Sequence, residues 1–305
     1  MNELITDVKS LELETIKNLK NSKALNTLRA YQSDFKDFSL FCSKNGFQAM
    51  PTQPKIIALY ITHLSAFSKY STLKRRLASI SILHKTKGHY IDTKHPIIIE
   101  NLMGIKRTNG SNQKGKKPLL INDLKTLIKV IDVSKEKDKR KIRDKALLLI
   151  GFSGGFRRSE LVNIEYDDVE FVSEGVKIFV KKSKTDQSGE GMTKAIPYFE
   201  NENFCPVKAL KKWIEIIDFK KDKIFNISDK NVALIIKKYA NQAGLDGYKY
   251  AGHSLRSGFA TSTAESGAEE RNIMAMTGHK STEMVRRYIK EANLFKNNAL
   301  NKIKI

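Results

Sequence analysis

The sequence predicts a mainly α-helical protein of two domains, an N-terminal helical one and a C-terminal mixed α+β one with a small antiparallel sheet. Apolar residues recur at three- and four-residue spacing through most of the chain, which is the period of a helix face. A polar stretch at 106–117, KRTNGSNQKGKK, has no apolar residue and interrupts that pattern. One alternating segment, VKIFV followed by MTKAIPY, reads as a β-hairpin. With 305 residues and 40% hydrophobic content, each domain can bury a core. The expected division is 1–106 for the helical domain, 107–117 for a basic linker, 118–291 for the second domain and 292–305 for a tail.

In the first domain, Leu28, Tyr31, Phe35, Phe38 and Phe41 mark one helix face between Leu25 and Phe41. Gly46, Pro51 and Pro54 punctuate the chain before a second helix, Ile56 to Phe67. Ser71 is placed to cap a third, in which Leu73, Leu77, Ile80 and His84 or Leu83 line one side. Lys74, Arg75 and Arg76 form another side, a basic face suited to phosphates, and Gly88 ends the helix. Lys116 and Lys117 close the linker and are nominated for phosphate contact with them.

In the second domain, Asn122 can cap a helix carrying Leu124, Leu127, Ile128 and Ile131. The run from Arg143 to Phe152 is apolar almost all round, as in a helix at the centre of a domain, and Ser153, Gly154 and Gly155 halt it. That turn sets Arg157 at the start of a new helix with Leu161 and Ile164 inward, and Glu160 one turn on can hold its guanidinium. Lys184 lies on the hairpin loop, and Val207 to Ile217 and Lys230 to Ala243 read as further helices.

The stretch from Ala251 to Lys290 concentrates proton-handling and phosphate-binding groups: His253, Arg256, His279 and Tyr288. Gly267 and Gly278 divide it into three helical pieces. His253 and Arg256 are three residues apart and share a face, with Leu255 and Phe259 toward the core. Ile273 and Met276 point inward in the second piece, and Ser281 or Thr282 caps the third. There Val285 and Ile289 form one stripe and Met284 and Tyr288 another, which puts Tyr288 near the surface or lining a cleft.

Charge narrows the partner. Lys and Arg total 55 against 33 Asp and Glu, a formal net charge of +22, which points to a polyanion: nucleic acid, ribosomal RNA or an anionic membrane surface. Cys42 and Cys205 have no metal-like spacing, which argues against a disulfide framework or zinc site. No apolar run approaches the roughly 18 residues of a membrane span, so a cytoplasmic protein without a membrane partner is expected.

Breaking a DNA phosphodiester without metal ligands needs a nucleophile, compensation for charge on the non-bridging oxygens, and a proton donor for the leaving oxygen. Tyr288 is the candidate nucleophile, and with a phenol's ordinary pKa near 10 it needs a proton acceptor, a role open to His253. Arg157 and Arg256 supply forked donors for the phosphate, His279 a further hydrogen bond, and Lys184 a general acid. No cofactor and no ATP is expected.

The ordered series GFRRSEL, KSKTD, GHSLR, TGH and Tyr288 resembles the tyrosine site-specific recombinases, the family of phage integrases, Xer resolvases and Cre. The segment STLKRRLASISILHKTKG resembles part of that family's N-terminal, SAM-like core-binding domain. One departure is Arg158, where a small apolar residue is common; Arg157 is the residue that matches. The resemblance implies that Arg157, Lys184, His253, Arg256 and His279 assemble around Tyr288, and that the two domains grip double-stranded DNA as a clamp. It implies a homo-tetramer on paired inverted core sites, with a second recombinase or accessory protein as a further partner. Strand exchange would pass through a 3′-phosphotyrosyl intermediate and a Holliday junction, for integration, excision or dimer resolution in the nucleoid. The chain before Leu25 is too short for an arm-site-binding domain. The tail's Leu294, Phe295, Leu300 and Ile303 suit docking on a neighbouring subunit or on its own domain. Rival readings are a type IB topoisomerase-like or telomere-resolving enzyme, and a DNA-binding regulator that keeps the fold without cutting.

Overall fold

A computed structural model describes residues 8–111, 115–181, 190–217, 222–292 and 299–303. The chain forms two compact units, Met1–Lys114 and Gly115–Ile305. Among the described residues it is mainly helical with one small sheet, as the periodicity predicts, and no helix is long and apolar enough to cross a membrane.

The first unit contains α1 (Val8–Asn21), α2 (Leu25–Lys44), α3 (Pro54–Ser65), α4 (Tyr70–Thr86) and α5 (Pro96–Asn109). Phe38, Ile57, Tyr60, Ile61, Leu73, Ile80 and Ile98 build its core. His84, not Leu83, completes the buried face of α4. Pro54 and Pro96 begin their helices where a missing N–H costs nothing. Ser71 does not cap α4: the helix already starts at Tyr70, whose ring packs against the core, so Ser71 lies inside the first turn, and no side chain caps it. Residues 107–109, expected in the linker, lie in the last turn of α5.

The second unit begins with α6 (Ile121–Val133), α7 (Asp138–Ser153) and α8 (Arg158–Leu161). Asn122 is not the cap of α6; the Ser262 hydroxyl, from a distant helix, accepts from the Ile121 N–H at 3.1 Å. Helix α7 is the central buried one, with Ala146 to Phe152 almost wholly enclosed. The hairpin is joined by a further strand into an antiparallel sheet of order β1 (Val169–Val172), β2 (Gly175–Val180), β3 (Met192–Pro197). Val176 pairs with Ile196 and Ile178 with Lys194, so the inward faces of β2 and β3 coincide. Helices α9 (Pro206–Ile216) and α10 (Asp229–Gln242) enlarge the core through Trp213 and Tyr239.

The chain then forms α11 (Ser254–Glu265), α12 (Glu270–Thr277) and α13 (Thr282–Ala292), separated at the glycines the sequence singled out. Gly267 and Gly278 both have positive φ, +87° and +63°, which lets each helix end abruptly. The Ser281 hydroxyl accepts from the Glu283 N–H at 3.3 Å and caps α13. On the N-terminal side, the Leu119 N–H donates to Ser254 O at 2.9 Å, and a Cβ on Gly258 would lie 1.9 Å from Leu119 O. Only glycine lets α11 approach that backbone.

Candidate active site

The glycine turn after α7 organises the site. Gly155 has φ +55°, and a Cβ there would meet Phe259 at 3.0 Å and Thr277 at 3.1 Å, so both conformation and space require glycine. The turn presents two carbonyls to two cations: Gly155 O accepts from Arg256 Nη1 at 2.9 Å, and Gly154 O from Lys194 Nζ at 2.7 Å. Arg157 follows at the N-cap position of α8. The buried Glu160 carboxylate accepts from the Arg157 N–H at 2.9 Å and pairs with its guanidinium, as the sequence suggested.

Arg256 is 1% exposed. Among the described residues its Nη2 has no hydrogen-bond partner. Burial, then Arg157, draws its pKa down to about 10, which still leaves it charged at neutral pH. Enclosing a cation without a bonded anion costs several kcal/mol, so the site is built to receive negative charge.

His253 stands at the N-cap position of α11, and its Nε2 lies 3.1 Å from the Tyr288 hydroxyl. The residue keeps an edge open to solvent, yet desolvation of its ring and the charges of Arg256 and Arg157 hold its pKa below the usual histidine value. Tyr288 is more enclosed than a near-surface tyrosine, at 8% exposure. It shares the buried face of α13 with Val285, one turn earlier, and its ring packs with Ala260, Ala264 and Ile273 while its hydroxyl meets His253. Met284, assigned to the same stripe, is 42% exposed.

His279 follows Gly278, its ring centroid 6.2 Å from that of Tyr288. Its Nδ1 is 2.8 Å from the Thr277 hydroxyl. Desolvation, then Arg256, Arg157, His253 and Lys194, pushes its pKa down to about 4. Both histidines are therefore mostly neutral at pH 7. Arg157, His253, Arg256, His279 and Tyr288 thus come together from four parts of the sequence; Lys184 lies outside the described residues.

Lys194 is the residue the sequence reading missed. It is 0% exposed, donates to Gly154 O and Met276 O, and lies 4.7 Å from the Phe156 ring centroid. Burial draws its pKa down to about 7, against the opposing pull of Glu160, and Arg256 and Arg157 push it the same way as burial. It ties the turn before Arg157 to the end of α12, just ahead of His279. The signal was present in MTKAIPY, where Lys194 alternates onto the face of Ile196.

The nominated phosphate contacts fare differently. Lys74 is exposed. Arg75 pairs with Asp34, and Arg76 donates from Nη1 to Asp37 at 2.8 Å and to the Tyr60 hydroxyl at 3.0 Å. Asp34 is 2% exposed and also accepts from Ser79 at 2.7 Å, so these arginines fasten α4 to α2, with the Arg75 side chain 45% exposed. Lys116 donates to Tyr248 O at 2.6 Å. Lys117 donates to Asp123 at 3.2 Å and to the Tyr250 hydroxyl at 3.1 Å, so both lysines are held by the second unit's own side chains and backbone.

The chain has relatives among known proteins. The model of the phage integrase family matches residues 119–294. An integrase/recombinase xerD homolog of Selenomonas ruminantium is 42% identical over 317 residues, covering 99% of this chain and 92% of the relative. The fold is shared with XerH site-specific recombinase bound to palindromic difH substrate in a post-cleavage complex, at TM-score 0.69 and 19% identity over 95% of this chain and 85% of that one. It is shared also with a lambda integrase(75–356) dimer bound to a COC′ core site, at TM-score 0.61 and 19% identity over 99% of this chain and 100% of that one.

Proposed function

Because this chain belongs to the phage integrase family and is a tyrosine recombinase, we propose that it cuts and rejoins double-stranded DNA through a covalent 3′-phosphotyrosyl link to Tyr288. The observation that carries this reading is the contact of His253 Nε2 with the Tyr288 hydroxyl beside Arg256, a buried cation whose Nη2 has no partner among the described residues. Neutral His253 takes the phenol proton as the Tyr288 oxygen attacks phosphorus. The bond from phosphorus to the 5′-oxygen breaks, and Lys184 protonates that oxygen. Arg256 and Arg157 hold the non-bridging oxygens, where charge grows in the transition state. Rejoining runs the same steps backward with an incoming 5′-hydroxyl. The ester keeps the energy of the broken bond, so neither metal nor ATP enters the scheme.

The wider assignment extends this chemistry. Residues 1–106 form a core-binding domain and Lys74 contacts phosphate. Four copies assemble on paired inverted sites and exchange strands through a Holliday junction, in the cytoplasm at the nucleoid. The DNA-bound XerH and lambda integrase neighbours support a DNA partner. Leu300 and Ile303 in the tail, 66% and 59% exposed, support docking between subunits.

The test is a suicide duplex carrying the site, which should give a denaturation-resistant protein–DNA adduct with wild type, with or without EDTA, and none with Tyr288→Phe. Absence of the adduct in wild type, or its persistence in the variant, overturns the reading.

A further inference from the structure

Among the described residues, His279 has a hydrogen-bond partner on only one ring nitrogen. Thr277, which ends α12, is 0% exposed. Its Oγ1 lies 2.6 Å from Ile273 O and 2.8 Å from His279 Nδ1. A threonine hydroxyl has one proton, and a carbonyl oxygen can only accept. If that proton pointed at Nδ1, hydroxyl and carbonyl oxygens would face each other at 2.6 Å with no hydrogen between them, in a place closed to water. All three atoms are satisfied in only one arrangement: the hydroxyl donates to Ile273 O, and Nδ1–H donates to the hydroxyl.

The surroundings hold this arrangement in place. Thr277 Cγ2 sits where a Cβ on Gly155 would be met at 3.1 Å, so the side chain is wedged against the glycine turn. The preceding carbonyl, Met276 O, is bound by Lys194. Gly278 then turns the chain with φ +63° and delivers the His279 ring to the hydroxyl.

We propose that Thr277 is a positioning residue that keeps His279 in its Nδ1–H form, so that Nε2 is the atom through which His279 acts on the scissile phosphate. The proposal rests on the active site assigned above. In that form the neutral ring presents a lone pair at Nε2. It can hydrogen-bond a phosphate oxygen only after Nε2 takes up a proton from solvent as the phosphodiester docks among Arg157 and Arg256. His279 thus enters the reaction as a cation recruited by its substrate.

The test reads the ring directly. In full-length protein carrying ¹⁵N-histidine, with His279 assigned by the loss of its signals in His279→Gln, wild type without DNA should show a protonated Nδ1 and a bare Nε2. Thr277→Val keeps the shape and removes the hydroxyl, so the proton should move to Nε2; Thr277→Ser should keep the wild-type pattern. In single-turnover cleavage of a suicide duplex, the valine variant, whose ring has lost the hydrogen bond that orients Nε2, should be slowed about tenfold and the serine variant by less than about twofold. A wild-type ring protonated at Nε2, an unchanged ring in Thr277→Val, or a switched ring with full cleavage rate each overturns the proposal. If Thr277→Val does not fold, the wild-type spectrum and Thr277→Ser decide it. The ring is read without DNA, so failure of wild type to form an adduct counts against the proposed function and leaves the tautomer result standing.

Discussion

Replacing Lys194 by methionine keeps the length of the side chain and removes its charge and both donors. In the folded protein this lysine titrates at about 7, against an ordinary 10.5 that the unfolded chain keeps. Between about pH 7 and pH 9 the unfolded chain therefore binds a proton that the native protein progressively gives up. The unfolded state holds more protons, so wild-type stability rises with pH across that window. At about 1.4 kcal/mol per pH unit for a full proton, and with the native group half protonated at the start, the rise is about 2 kcal/mol. Lys194→Met lacks this dependence. It carries instead a roughly constant loss of about 1–3 kcal/mol from the unsatisfied Gly154 and Met276 carbonyls. The variant should be nearest to wild type at pH 7 and fall behind as pH rises. Trp213, the single tryptophan, lies in the second unit, so its fluorescence during urea unfolding at pH 7, 8 and 9 reports the unit that contains Lys194. Parallel stability curves for wild type and variant would refute the reasoning.

Two further outcomes follow from the same geometry. Gly155→Ala should lose about 2–4 kcal/mol of stability in urea unfolding, because φ +55° and the contacts with Phe259 and Thr277 must both give way, and should form little adduct. For pH, His253 must be neutral to accept the phenol proton, and its pKa is held below the ordinary 6.5. As far as this group is concerned, the midpoint of the fall in single-turnover cleavage should thus lie below pH 6.5; a fall centred above pH 7 would assign the acceptor role elsewhere.

The helices with strong apolar period, α2, α3, α7 and α10, were legible because each buries one broad face or is enclosed all round. Helices α1 and α5 and strand β1 were not. The described side chains of Ser10 to Thr15 in α1 are all exposed, so no face announces itself. PIIIENLMG in α5 is a short apolar run that helix and strand share, and β1 is four residues with no buried one. Motif residues were readable because their order in the chain is tied to one chemistry. Their supports were harder to read: Lys194, Thr277 and the carbonyls of Gly154 and Gly155 matter through backbone acceptors, and those leave no trace in residue type. The acidic partners of Arg75 and Arg76 were hidden for a related reason. A basic face looks the same in sequence whether it meets phosphate or Asp34 and Asp37 from another helix.

The backbone at residues 117–119 is hydrogen-bonded to Lys249, four residues before His253, and to Ser254, the residue after it. The connecting chain therefore joins the second unit at the scaffold of its chemistry, and sequence drift there is judged by catalysis as well as by folding. Extra residues after Gly110 would fall short of that seam and leave it closed. The same residues added after Leu119 would part the chain from Gly258 and displace the first turn of α11, so length variation among natural homologues should collect on the near side of residue 117.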